Sequence, residues 1–154
     1  MKVVLQRVKS AYVKVGSSIV SEIDKGYLLL WGIEDSDSEV ESKILINKIL
    51  NLRIFSDENL KMNKSIIDVS GEILIVSQFT LAGKLLKGNR PSFVNAKSPE
   101  IAENMISNIV EEFSKHVTVR SGSFGAMMDV GLVNDGPSTF VLSAKNGKLI
   151  DQAD

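Results

Sequence analysis

Three side chains that can donate, accept or attack, Ser77, Gln78 and Thr80, crowd around Phe79 in the stretch "SQFTL". On a strand, Ser77 and Phe79 point one way while Gln78 and Thr80 point the other. The cluster reads either as a strand running out of the core, or as a strand-end site. In such a site Phe79 would stack a base, and hydroxyl or amide groups would bind a ribose or an acyl group. Thr80 is the obvious nucleophile, but a threonine hydroxyl needs a neighbouring base, and no dedicated partner stands near it in the sequence. The one histidine, His116 in "EEFSKHVTV", suits the end of a helix, where a cationic ring complements the dipole; it reads as structural. The chain has no cysteine, so thiolate chemistry and disulfides are excluded, and a zinc site would need carboxylates in unusual number.

Two further stretches carry chemical potential. From Ala82 to Ser98, "AGKLLKGNRPSFVNAKS" holds Lys84, Lys87, Arg90 and Lys97 and no acid. It is either a solvated loop or a local positive field for phosphates, with Phe93 as its anchor. In "VNDGPSTF", Gly136 directly precedes Pro137, and local rules make this a hairpin turn between two strands. Only about 5–6% of X-Pro bonds are cis, so composition alone predicts a trans bond. The glycines of "GSFGAMMDVGL" lack the G-x-G-x-x-G spacing and a surrounding βαβ unit, which argues against a dinucleotide site.

The elements that must position these residues follow from periodicity. Alternation in "KVVLQRVKSAYVKV" predicts a strand, "GSS" a turn and "SIVSEI" the return. The continuous apolar runs "GYLLLWGI" (26–33) and "EILIVSQFTL" (72–81) predict buried strands. Ser36 and Glu39 offer a capping box for a helix over about 37–52, whose Leu45, Ile49 and Leu52 share a face. Ser98-Pro99 opens a second helix, 99–115, with Ile101, Met105, Ile109 and Phe113 four apart. Strand-rich ends with two helices between them predict mixed α/β layers.

At 154 residues, with 44% apolar and 24% charged residues and a net charge of −1, the chain is sized and composed as one soluble domain. That balance argues against coating nucleic acid or acidic membranes by bulk charge. The N-terminal stretch is broken by charges, and "YLLLWGI" is too short to cross a bilayer, so neither a signal peptide nor a membrane span is expected.

Seven motifs occur in order: "VVLQRV", "LLLWGI", "LRIFSDE" with "KMN", "SQFTL", "KGNRPSF", "SGSFGAMM" and "NDGPST". Together they resemble the D-aminoacyl-tRNA deacylase family over almost the whole chain. The departures are small: Ser138 stands at the open position of N-x-G-P-x-T, often valine, and Gly131 where a polar residue is common. The expected fold is α/β, with mixed β-sheets forming a β/β/α layered, barrel-like single domain (1–154), two main helices and a loose tail over 144–154.

The resemblance implies a cytoplasmic homodimer that hydrolyses D-amino acids, and glycine mischarged on tRNA(Ala), from the 3′ end of tRNA while sparing L-aminoacyl-tRNA. It implies a cis Gly136–Pro137 bond whose motif enters the partner subunit's site as a chiral filter. Arg7, Asn134 and Thr139 would support that motif. Ser77, Gln78 and Thr80 would be the catalytic group, with Phe79, Leu81, Met127 and Met128 lining the adenosine and acyl pocket. Lys84, Lys87 and Arg90 would hold the tRNA backbone. No metal, cofactor or membrane is implied, and the terminal 2′-hydroxyl of the tRNA would assist the reaction in place of a protein base. Two alternatives stay open: Thr80 as covalent nucleophile, and a non-catalytic RNA- or DNA-binding module using the basic loop.

Overall fold

The structure, a computed structural model, describes residues 1–151. The alternating N-terminal stretch forms β1 (Lys2–Val15), which turns at Gly16, φ +61°, into β2 (Ser18–Ile23). The sequence continues through β3 (Gly26–Gly32), α1 (Glu39–Asn51), the small pair β4 (Phe55–Ser56) and β5 (Met62–Lys64), and β6 (Glu72–Ser77). A 3-10 turn (Phe79–Ala82), α2 (Pro99–Ser114), β7 (Thr118–Ser121), β8 (Asp129–Lys145) and β9 (Lys148–Ile150) complete it.

Seven strands share one mixed sheet in the order β7-β6-β3-β1-β8-β9, with β2 also on β1. β3, β6 and β7 run parallel and the remaining pairs antiparallel, and the sheet curls into a half-barrel. The curl follows from β1, which pairs β3 along Lys2–Val8 and then β2 from Ala11 onward, while β8 follows it along its length. Two apolar clusters result. Leu5, Leu29, Trp31 and Ile75 pack with Leu45 and Ile49 of α1 and Ile109 and Phe113 of α2. On the other face Val8, Val13, Leu28, Leu74 and Val76 pack with Ile23 of β2. Among the described residues no helix is long and apolar enough to cross a membrane.

Several expectations are corrected. The capping box is Ser38 with Glu41, not Ser36 with Glu39: the Glu41 carboxylate accepts from the Ser38 N–H at 2.9 Å and from the Gly147 N–H at 2.8 Å. The Ser38 hydroxyl and that Gly147 amide hold the Glu41 carboxyl down at about 2. In α2 the buried stripe is Ile106, Ile109 and Phe113; Ile101 is exposed, because residues four apart drift about 40° per step around a helix and Ile101 falls off the stripe while Ala102 packs beside it, and Ser98 makes no side-chain cap. The apolar run 72–81 is strand only to Ser77. The motif "NDGPST" is no hairpin between two separate strands: it lies inside β8 (Asp129–Lys145), where that strand's pairing with β1 is interrupted and then resumes. Of the tail expected to be loose, residues 144 and 145 end β8 and Lys148–Ile150 pair with it as β9, while 152–154 lie outside the described residues.

Candidate active site

The cluster from Ser77 to Leu81 forms where β6 stops. Gln78 donates its N–H to the Trp31 carbonyl at 2.9 Å, the last bond to β3, and the chain then winds into the 3-10 turn. Leu81 N–H bonds the Gln78 carbonyl at 3.1 Å and Gly83 N–H the Thr80 carbonyl at 3.0 Å. The alternation expected for a strand is therefore lost after Ser77. Two glycines make room for this turn: a Cβ on Gly32 would lie 2.6 Å from Leu81 Cβ, and one on Gly83 2.9 Å from the Thr80 carbonyl and 3.0 Å from the Phe93 ring. Phe93 meets Phe79 edge-on, ring centroids 5.1 Å apart, so the basic loop is tied to the turn through two aromatic rings.

Phe79 and Thr80 are exposed, and Ser77, Gln78 and Leu81 half-buried. The Thr80 hydroxyl accepts from the Gln78 side-chain amide, and among the described residues no imidazole or carboxylate bonds to it. The N–H groups of Phe79 and Thr80 have no acceptor among the described residues. Two unspent donors beside an exposed aromatic can stabilise an oxyanion without any side-chain acid. An open cleft of about 300 Å³ adjoins Ser77, lined by Ile75, Ser107, Ser121, Gly122 and Phe124 as well. Its size is that of a small ligand pocket.

Arg7 builds the second region. Alternation along β1 puts it on the same face as Val3 and Leu5, where it is buried against Tyr27 across the ladder. Its Nε donates to the Asp135 carbonyl at 3.2 Å and pairs with the Asp135 carboxylate at 3.3 Å, and its Nη1 donates to the Ile54 carbonyl. Burial pushes the Tyr27 phenol up, with the nearby Arg7 charge acting against it.

In the β1–β8 ladder Gln6 faces Thr139 and Val8 faces Asn134, so β8 spends three more residues than β1 over that interval. The surplus is the loop that carries Gly136 and Pro137, whose peptide is cis. Asn134 closes it: its side-chain oxygen accepts from Ser138 N–H at 2.8 Å and its amide donates to the Ser138 carbonyl at 3.2 Å, replacing the missing ladder. Thr139 accepts from Gln6 at 3.2 Å. Gly136, at φ +123°, holds a conformation that disfavours a side chain, and a Cβ there would lie 2.8 Å from Arg7 Nη2 and from Ser138 Oγ. Gly136 and Pro137 are exposed, whereas Ser138 is buried and its hydroxyl has no partner among the described residues.

Within one chain these regions are not brought together. Lys2 reaches the Leu81 carbonyl at 3.4 Å and Arg7 the Asp135 carbonyl, and these two anchors stand five positions apart on β1, about 17 Å of strand. Met128 sits half-buried in the second apolar cluster with its sulfur against Gly122, and Met127 is 92% exposed. Lys84, Lys87 and Arg90 are exposed, but Lys97 is committed, donating to the Asp37 carbonyl at 2.7 Å. Reasoning from sequence missed Gly32, Gly83, Gly122 and Phe124. Glycine and phenylalanine carry no titratable or nucleophilic group, so their types gave no chemical signal, and their part in the site depends on contacts made across the chain.

Comparison with known proteins agrees over the length of the chain. The family described as D-Tyr-tRNA(Tyr) deacylase matches residues 4–143. A protein named D-aminoacyl-tRNA deacylase from Flavobacterium psychrophilum is 50% identical over 150 residues, covering 95% of this chain and 99% of the relative. One of the same name from Bacillus cytotoxicus is 51% identical over 146 residues, covering 94% and 100%. Among solved structures, a c-Myc DNA unwinding element binding protein superposes with a TM-score of 0.89 at 43% identity, covering 94% of this chain and 99% of the other. A probable eukaryotic D-amino acid tRNA deacylase superposes with a TM-score of 0.77 at 17% identity, over 91% and 97%, a likeness of fold.

Proposed function

The chain belongs to the D-Tyr-tRNA(Tyr) deacylase family, and from that premise we propose that it is a hydrolase cleaving the ester of D-aminoacyl-tRNA to free D-amino acid and tRNA. The observation that carries the mechanism is the 3-10 turn: two amides without acceptors, next to a threonine that no base touches. The aminoacyl ester is already activated, so positioning it and stabilising the developing oxyanion suffices. Phe79 and Thr80 N–H groups hold the oxyanion, Gln78 orients the Thr80 hydroxyl, and Phe79 with the cleft beside Ser77 receives the terminal adenosine. The 2′-hydroxyl of the terminal ribose relays the proton.

Selection of the D hand falls to Gly136 and Pro137 of a second copy. The strand length between the two regions in one chain supports this, as do Val133, Phe140 and Val141, apolar and exposed on β8, which suit a contact between copies. Backbone presented to the substrate's Cα excludes an L side chain while remaining blind to which D side chain is present, so glycine esters on tRNA(Ala) are substrates too. The reading places the enzyme in the cytoplasm with tRNA as partner, and needs no metal or cofactor.

Deacylation of D-Tyr-tRNA and L-Tyr-tRNA by wild type, Thr80→Ala and Gly136→Val tests this. Near-normal turnover by Thr80→Ala, with Gly136→Val losing activity or D-over-L preference, is expected. Complete loss in Thr80→Ala with intact tRNA binding would make Thr80 the nucleophile. A second reading, a nucleic-acid-binding module without catalysis, draws on the name of the solved relative at 43% identity. Protein that binds tRNA but leaves D-aminoacyl esters intact would favour it.

A further inference from the structure

Between the 3-10 turn and α2, residues 84–92 form a short hairpin closed by reciprocal bonds, Lys84 N–H to the Ser92 carbonyl at 2.8 Å and Ser92 N–H to the Lys84 carbonyl at 3.1 Å. Its tip turns at Gly88, φ +68°. On it, Leu85 is 71% and Leu86 100% exposed. Two leucines side by side in water are costly unless something covers them.

Their surroundings identify what does. Lys84, Lys87 and Arg90 flank the pair, none has a carboxylate partner among the described residues, and no acid occurs from Ala82 to Ser98. The surface is apolar at its centre and cationic at its rim, and it complements an anionic partner that also presents an apolar face. The hairpin is also fixed in place relative to the reaction site. Gly83 follows the 3-10 turn directly, Phe93 packs on Phe79, and beyond it Asp35 N–H bonds the Asn95 carbonyl at 2.8 Å and Lys97 N–H the Ile33 carbonyl at 3.1 Å.

Resting on the deacylase reading, we propose that this hairpin is a docking wedge for the duplex end of the acceptor arm of the tRNA. Leu85 and Leu86 cover the exposed face of the terminal base pair, and Lys84, Lys87 and Arg90 take the phosphates on either side. The single-stranded 3′ end then runs past Phe93 to Phe79. Leucine serves nucleic-acid binders elsewhere as an apolar wedge against base faces, and lysine and arginine position the backbone without reading sequence. The tie through Phe93 makes the wedge a ruler between the last base pair and the ester.

The test compares wild type with the double variant Leu85→Ser/Leu86→Ser on two D-tyrosylated substrates: an acceptor minihelix, with duplex, and a CCA trinucleotide, without it. The expected result is a KM raised about tenfold on the minihelix, with kcat unchanged and the trinucleotide unaffected. Lys87→Ala lowers the log–log salt slope of minihelix binding by about 0.9, which the leucine variant does not. Equal losses on both substrates would overturn the proposal, because the leucines would then only be supporting Phe93 and Phe79. An unchanged KM on the minihelix would overturn it too. So would wild-type binding to anionic phosphatidylserine vesicles that the double variant loses while its minihelix kinetics stay normal. Fluorescence anisotropy with uncharged minihelix separates this from the deacylase reading: if wild type cleaves no ester, the reaction assignment falls, whereas undiminished minihelix binding by the double variant sinks the wedge.

Discussion

The two regions assigned to the site are held by opposite means. The turn 78–83 is held by its own backbone, through the bond from Gln78 N–H to Trp31 and through glycines 32 and 83, which leave room for it. The Gly136–Pro137 loop has lost its ladder and is held by side chains, Arg7 from below and Asn134 across its mouth. Adding atoms therefore damages either region, at Gly32 and Gly83 in the first and at Gly136 in the second, but only the second is also undone by removing a side chain. Backbone suits a part that must present N–H groups to a forming charge. Side chains suit a part that must leave its own backbone unpaired and exposed.

The comparison can be broken at its strongest point first. Arg7→Ala strands the Asp135 carboxylate and the Ile54 carbonyl and empties a buried volume, so denaturant unfolding should show a loss of about 3 kcal/mol. At temperatures where the variant is folded, D-over-L preference should collapse more than the rate on D-Tyr-tRNA. Equal loss of rate on both hands would mean that Arg7 serves the turn as well. Gly32→Ala is the counterpart. Its Cβ meets Leu81 at 2.6 Å, and displacing the turn by a fraction of an ångström should lower kcat/KM on D-Tyr-tRNA about a hundredfold while leaving the D-over-L ratio alone. A changed ratio would show that the regions are coupled within one chain.

The smallest effect is a control far from both regions. Glu41→Gln weakens the α1 cap and should cost about 1 kcal/mol by thermal or urea unfolding, with kinetics unchanged. Its pH dependence has a definite sign. The Glu41 carboxyl is lowered from 4.5 to about 2 in the folded protein, so its stabilisation is present above pH 4.5 and is lost as pH falls toward 2. Acid titration of wild type against the variant should show the gap closing in that window.

Most of the framework was legible. The period-two pattern of β1, Gly16 and the return strand needed no tertiary information, and neither did the two helices. What misled was decided across the chain. "SDSEVE" contains two capping frames, and Gly147, over a hundred residues away, supplies the second bond that selects Ser38 and Glu41. "EILIVSQFTL" is apolar enough to read as strand throughout, but the Gly32 notch lets Leu81 fold back, so the strand stops at Ser77. "NDGPST" reads locally as a turn between strands because nothing local reveals that Gln6 and Val8 resume the same ladder on both sides. The site motifs were visible as residue types. Which of them share a neighbourhood, and that Met127 and Met128 point to different surroundings, depends on the curl of the sheet.

The three surplus residues of β8 have one more consequence, for the history such a segment can record. Both flanks of the loop are clamped in register against a single strand, at Thr139 and at Asn134. Exchange of one residue for another in the loop is a local matter. A change in its length has to be absorbed inside the loop, because shifting β8 by one position would turn Phe140 through Ser143 over to the wrong face of the sheet. The flanks keep a measure set by β1, and only the arc between them is free of it.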